Sequence, residues 1–381
     1  MTNYRLTPLQ DTSEHKRRIV ESTRKNMQMP VQKKHRNQQR MPAVIAAITL
    51  MLVIFLVGPY VKQALFNKQE FTIEKVVIPN VPYESLITST YVEETNEFVY
   101  NTASGFYAFD VANKQQSLIV DTAEAGRIFD YGVSENWLVW AQPVDNIDKI
   151  HVLNRHTQEL NVLETDYLYG IELQGDTIIY MTLRNQSDSG NAVNNYTTTN
   201  LKTGQSEILR EFEEGSNSRP AIEGNHIAIS ERVDLDGQIS TKVSIHNFAT
   251  TQHLGDFIFP YESAENILLK GNKVFGLLWS DEDMQSSVIG ELDIETDQFR
   301  ALKIDVGVDD YATDGEHFAV AVRQGESNTV QLFELNEGKL KRTSTLSNIK
   351  ERLVKPRFTE QGTLIVNGEG QDRAMYLIRF E

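Results

Sequence analysis

The sequence predicts an all-β protein, a seven-bladed β-propeller preceded by a single transmembrane α-helix. Three observations predict it. A polar turn followed by an apolar strand recurs seven times, 40 to 49 residues apart, across residues 71–381. The recurring strands are apolar at successive positions, as in sheets covered on both faces. One uncharged run of 21 residues, Met41–Val61, separates a basic segment from an acidic remainder.

The repeat decides the fold. The turn-and-strand unit is seen at Asn96-Glu97-Phe98-Val99-Tyr100, Asn136-Trp137-Leu138-Val139-Trp140 and Asp176-Thr177-Ile178-Ile179-Tyr180. It recurs around Ile227, Val274, Phe318 and Leu364. A second landmark, a strand ending in a polar residue before a tight turn, follows in the same phase. Examples are Asp110-Val111-Ala112-Asn113, Asn154-Arg155-His156-Thr157 and Asp293-Ile294-Glu295-Thr296. Each unit thus supplies four short strands punctuated by Gly, Asn and Asp. One such sheet cannot cover both its faces, whereas a radial array packs every sheet on two neighbours. A repeat of this length argues against a sandwich or two small β domains. The count is seven, with six or eight blades as the alternatives. The last unit ends at its third strand, Met375–Arg379, and the strand-like stretch Phe71–Ile78 is otherwise unpartnered. Residues 71–79 are therefore expected to complete the last blade and remove its open edge.

These units, best seen at Asp314-Gly315-Glu316-His317-Phe318-Ala319-Val320, resemble the repeats of TolB-like and related WD40-like propellers. The resemblance covers residues 71–381. The Ser-Pro that precedes the family's Asp-Gly turn is absent, and none of the three tryptophans forms a Trp-Asp pair. The resemblance implies a propeller used for binding, and it carries no catalytic residue across.

Met41–Val61 is long enough as a helix, roughly 31 Å, to span a bilayer core. A leader of 40 residues and the absence of an A-x-A site argue for an uncleaved anchor rather than a signal peptide. Of 37 basic and 53 acidic side chains, ten and three fall in residues 1–40, which leaves a net charge of −23 on the remainder. Basic residues beside the first span are retained in the cytoplasm. The expected arrangement is a cytoplasmic tail at 1–40, the span at 41–61, a linker at 62–70 and an extracytoplasmic propeller at 71–381. The absence of cysteine fits the outer face of a bacterial cytoplasmic membrane. Within the tail, a charged helix is expected from about Thr12 to Met27. Lys33, Lys34, Arg36 and Arg40 form a polybasic tract suited to anionic lipid headgroups. A docking peptide for a cytoplasmic regulator is the alternative reading of the tail. So acidic an outer domain excludes nucleic acid as its partner.

Few residues of the sequence point to chemistry. The eight histidines form neither H-x-H nor H-E-x-x-H, so no zinc site is read. There is no nucleophile elbow, P-loop or dinucleotide fingerprint, and no cofactor is expected. Asp234-Leu235-Asp236-Gly237 lacks the remaining ligands of a calcium loop and reads as a hairpin turn. Two candidate surfaces follow from the fold. One is the acidic face expected from long second-to-third-strand loops, with Asp145, Asp148, Asp188, Asp234, Asp236, Asp281 and Asp283. The other is the central channel, with Tyr131, Tyr169, Arg219, Glu265, Asp309, Lys355 and Arg357 on the innermost strands. The functional reading is a non-catalytic binding or scaffold module for a protein or cell-wall partner outside the membrane. An enzyme acting on surface glycans at the channel, or a sensor signalling through the tail, are the alternatives.

Overall fold

Each of the seven apolar landmarks is the second strand of a four-stranded antiparallel sheet. The computed structural model describes residues 71–122, 128–144, 147–165, 168–185, 192–212, 219–280, 283–324, 327–346 and 348–380. The described residues open with β1 (Phe71–Val76) and a short helix, α1 (Tyr83–Ile87). Blade 1 is β2 (Thr90–Val92), β3 (Glu97–Thr102), β4 (Gly105–Asp110) and β5 (Gln115–Asp121). Blade 2 is β6 (Asp130–Val133), β7 (Trp137–Val144), β8 (Ile147–Asn154) and β9 (Leu160–Thr165). Blade 3 is β10 (Leu168–Gln174), β11 (Thr177–Asn185), β12 (Ala192–Asn200) and β13 (Ser206–Phe212). Blade 4 is β14 (Ala221–Glu223), β15 (His226–Leu235), β16 (Gln238–Asn247) and β17 (His253–Phe259). Blade 5 is β18 (Ser263–Lys270), β19 (Lys273–Ser280), β20 (Asp283–Asp293) and β21 (Gln298–Leu302). Blade 6 is β22 (Val308–Thr313), β23 (His317–Gln324), β24 (Ser327–Asn336) and β25 (Lys339–Thr345). Blade 7 is β26 (Leu353–Phe358), β27 (Leu364–Gly368) and β28 (Met375–Phe380), completed by β1, which pairs with β28 from Phe71↔Phe380 to Val76↔Met375.

The core is divided among the joints between blades, and the two-residue period of a strand explains how. In every second strand the central landmark residue faces the preceding joint and the next residue faces the following one. Phe98 packs with Ile365 and Leu377 of blade 7, while Val99 packs with Leu138 and Trp140 of blade 2. The same parity holds for Leu138 and Val139, Ile178 and Ile179, Ile227 and Ala228. It continues through Val274 and Phe275, Phe318 and Ala319, and Leu364 and Ile365. Seven joints therefore own seven apolar clusters, and the joint between blades 7 and 1 also takes Val76, Ile78 and Leu86.

Turn chemistry supports the same frame. The hairpins at Gly175-Asp176, Gly224-Asn225 and Gly271-Asn272 place a left-handed glycine first, the type II′ arrangement. The polar residue ending most third strands is an Asx cap. Asn200 Oδ1, for instance, accepts the Lys202 and Thr203 N–H groups, each at 3.0 Å.

The long acidic loops are a correction. Second and third strands stay paired almost to their tips, as at Val144↔Ile147, Leu235↔Gln238 and Ser280↔Asp283. Polar alternation that reads as loop in sequence is the solvent face of extended hairpins. Asp148 accordingly lies within β8, half-buried, with its Oδ2 accepting the Leu168 N–H of blade 3 at 3.0 Å. Met41–Val61, the tail and the linker lie outside the described residues, as do Asp145, Asp188 and Asp281. Among the described residues no helix is long and apolar enough to cross a membrane.

Candidate functional site

The first strands of the blades surround the channel, and four of them do not run as regular strands. Register shifts interrupt β10 between Tyr169 and Glu172, β18 between Glu265 and Leu268, β22 between Val308 and Asp310, and β26 between Val354 and Arg357. Three of these bulges contain a left-handed residue: Gly170 at φ 69°, Asn266 at φ 49° and Lys355 at φ 53°. A bulge re-aims the side chains around it. Here the bulges direct some polar groups into the channel and others into clips between blades.

The cavity so formed measures about 700 Å³ and is lined by Glu172, Gln174, Arg219, Glu265, Lys270 and Lys355, with Phe358 as its aromatic. Arg219 bridges two carboxylates, at 2.9 Å from Asp130 and 3.5 Å from Glu172. Asp130 also accepts the Tyr131 N–H at 3.0 Å and the Ile171 N–H at 2.8 Å, which ties blade 2 to blade 3. Glu172 is walled in by the channel although water reaches it. That burial pushes its carboxyl up to about 7, against the pull of Arg219 and with the help of Asp130. Lys270 pairs with Glu223 at 3.3 Å.

A second clip joins blades 5 and 6. Asn266 donates to Asp310 Oδ1 at 3.1 Å and to the Tyr311 carbonyl at 2.7 Å, and the Tyr311 hydroxyl returns a bond to the Asn266 carbonyl at 2.9 Å. Burial raises the Asp310 carboxyl, with the Lys355 charge opposing. A third clip closes the ring. Arg357 donates to Asn367 Oδ1 at 2.6 Å and to the Ser89 carbonyl at 3.1 Å, and burial pulls its guanidinium down to about 10.

Of the channel residues expected from sequence, Arg219, Glu265 and Lys355 line one cavity. Arg357 serves the closing joint instead. Tyr131 stacks edge-on against Phe106 at 5.2 Å and donates its hydroxyl to the Thr88 carbonyl, clipping blade 2 to blade 1. Asp309 is half-buried on β22, and Tyr169 lies on β10. Glu172, Asp130, Asp310 and Asn266 were missed. The signal for two of them was an Asp-Tyr pair repeated on inner strands, Asp130-Tyr131 and Asp310-Tyr311, where each Asp caps the following N–H. On the other face, Asp234 accepts the Gly237 N–H at 2.6 Å and Asp236 takes φ 56° in the type I′ turn of blade 4. Asp283 opens β20 opposite Ser280. Among the described residues no group of three or more His, Asp or Glu is arranged to hold a metal ion.

No protein-family model matches the sequence, and no curated protein matches it. Solved structures do. An oligogalacturonate lyase in complex with manganese superposes with a TM-score of 0.54 at 12% identity, over 82% of this chain and 96% of that one. A chain of the mitotic checkpoint complex gives 0.54 at 9% identity, over 80% and 90%. The acylaminoacyl peptidase of Pyrococcus horikoshii gives 0.51 at 11% identity, over 67% of this chain and 45% of that one. What is shared is the β-propeller fold. The resemblance to TolB-like and WD40-like propellers holds at that level. Structures named for a lyase, a peptidase and a checkpoint complex share the ring with this chain, so the ring alone assigns no activity.

Proposed function

We propose that this chain is a membrane-anchored propeller that binds a partner or ligand at the outer face of a bacterial cytoplasmic membrane without transforming it. Residues 41–61 anchor it, residues 1–40 lie on anionic headgroups inside, and the ring stands outside. The observation that carries the binding reading is the Arg219 bridge. Most glycoside hydrolases use two carboxyl groups flanking an open cleft, about 5–10 Å apart. In this channel Asp130 and Glu172 are joined through a guanidinium, and Asp130 is further committed to two backbone N–H groups. The wall is built to hold its shape and charge pattern rather than to deliver a proton and a nucleophile. One observation favours the enzyme as the second reading: the Glu172 carboxyl, held up to about 7, suits a general acid.

The test uses the full chain in cells. A photo-crosslinking residue in place of Glu360, at the cavity, is expected to capture a partner that the same residue in place of Lys114, on an outer turn, does not. Equal capture at both positions would remove the channel from the proposal. Turnover of surface glycans by the purified full chain, lost in Glu172→Gln, would overturn the binding reading. A C-terminal reporter active only in the cytoplasm would overturn the orientation.

A further inference from the structure

The channel wall contains two kinds of charge. Asp130, Arg219 and Glu172 satisfy one another, as do Lys270 and Glu223. Glu265 and Lys355 differ. Both are exposed to the same cavity, and neither side chain makes a hydrogen bond or ion pair with any described residue. Opposite charges facing one cavity gain from meeting, yet these two form no ion pair with each other. Glu265 precedes the bulge of β18 and Lys355 sits inside the bulge of β26.

Lys355 is held there against its own preference. It takes φ 53°, a conformation that favours glycine, and it is followed by Pro356, which restricts it further. At the two other left-handed bulges the chain uses residues that suit the conformation, Gly170 and Asn266. Asn266 also uses its side chain in the clip between blades 5 and 6. The Lys355 side chain makes no such bond, although its carbonyl accepts from Arg357 Nη1 at 3.1 Å. Asp310, whose carboxylate feels the Lys355 charge, has Oδ1 engaged by the Tyr311 N–H at 2.9 Å and by Asn266. Left-handed non-glycine residues occur elsewhere in the chain, as at Lys114 and Arg373, but Lys355 lines the channel cavity, and strain held at a cavity wall marks a candidate functional position. A cavity of about 700 Å³ is also within the range that encloses small ligands.

Building on the binding reading above, we infer that the channel cavity takes a small zwitterion, a free amino acid or a short peptide with both ends unblocked. Its carboxylate docks on Lys355 and its ammonium on Glu265. The ligand completes a charge pair that the bulges keep open. A simple anion would leave Glu265 unpaired, and a simple cation would leave Lys355 unpaired. Arg219, already shared between two carboxylates, stiffens the opposite wall.

The experiment is calorimetric titration of the full chain in lipid nanodiscs with triglycine and trialanine, and with triglycine amide and N-acetyltriglycine. Saturable binding of an unblocked peptide is expected. Blocking either end should weaken it at least tenfold, about 1.4 kcal/mol. Lys355→Met should weaken triglycine equally and leave triglycine amide unaffected, with Lys355→Arg restoring most of the loss. Glu265→Gln should weaken triglycine and leave N-acetyltriglycine unaffected. Unchanged melting temperatures for these variants separate the effect from misfolding. Failure of both unblocked peptides to bind up to about 10 mM, at the weak end of specific affinity, would overturn the inference. Equal binding of blocked and unblocked peptides would do the same. If that happens while the Glu360 crosslinker still captures a partner, the zwitterion inference fails and the binding reading stands. Glu172-dependent turnover would remove the binding reading itself.

Discussion

Ile78 sits where the ring closes. It is 3% exposed and packs among Tyr91, Phe98 and Leu86 on one side and Ile365, Met375 and Leu377 on the other. Replacing it with alanine removes three carbons, worth about 0.8 kcal/mol each. The cavity left behind adds to that, giving a loss of about 3–4 kcal/mol. Domains of 150–250 residues lose about 2–4 °C per kcal/mol, and a larger ring sits at the low end, so a fall of about 6–8 °C is expected. The three tryptophans make the assay discriminating. Trp137 and Trp140 are in blade 2 and Trp279 is in blade 5, all outside the closing joint. If the ring unfolds as one unit, their fluorescence transition shifts with the joint. If β1 only frays locally, the tryptophan transition stays in place. An unchanged tryptophan melting curve for Ile78→Ala would refute the claim that closure holds the whole ring.

Three further outcomes follow from other positions. Glu172 has a folded value of about 7 against an ordinary 4.5, so the folded chain retains a proton that the unfolded chain has lost. Stability therefore falls as pH rises through that window. Glu172→Gln should melt higher than the wild type at pH 8 and no higher at pH 4.5; parallel profiles would contradict this. His317 is raised by its hydrogen bond to Asp314, at 2.9 Å, so its contribution is present below about 6.5 and lost as pH rises through the folded value. His317→Phe, which keeps the stack on Phe380 at 4.3 Å, should be destabilised at pH 6, with the gap narrowing by pH 9. Gly290→Ala would bring a Cβ to 2.3 Å from Leu278 Cδ1 and 2.9 Å from Phe299, an overpacking loss of about 1–3 kcal/mol visible in denaturant titration.

The ring was legible because its information is carried by periodicity. The pairs Phe98-Val99 through Leu364-Ile365 each serve two joints, and that requirement writes two adjacent apolar residues into every second strand. The Asx caps write a second mark at the end of the third strand. Loop extents were less legible. A hairpin tip such as Asp234-Leu235-Asp236-Gly237 has the composition of a loop whether or not its flanks are paired, and here Asp234 and Leu235 remain in register with Ile239 and Gln238.

The channel was only half legible, and the reason is a matter of parity. On a regular strand, residues two apart share a face. By that rule Lys355 and Arg357 belong together in the channel, and Asp309 rather than Asp310 faces an occupant. Each bulge inserts an unpaired residue and reverses the parity beyond it. Inside the bulge of β26 Lys355 lines the cavity, and past it Arg357 turns to Ser89 and Asn367. Past the shift in β22, Asp310 takes the clip with Asn266. The insertion in β22 leaves no local trace, and the other three leave residues that tolerate or resist left-handed backbone: Gly170, Asn266 and the Lys355-Pro356 pair. The first two are ordinary turn formers and would be read as breaks in a strand. The third is a poor fit to its own conformation. Replacing it tests whether the strain is real: Lys355→Gly removes the steric penalty of about 1–2 kcal/mol against an entropic loss of about 0.5–1 kcal/mol. The variant should therefore be at least as stable as the wild type in denaturant titration. A clear loss of stability would show that the lysine earns its place through folding rather than through what it presents to the channel.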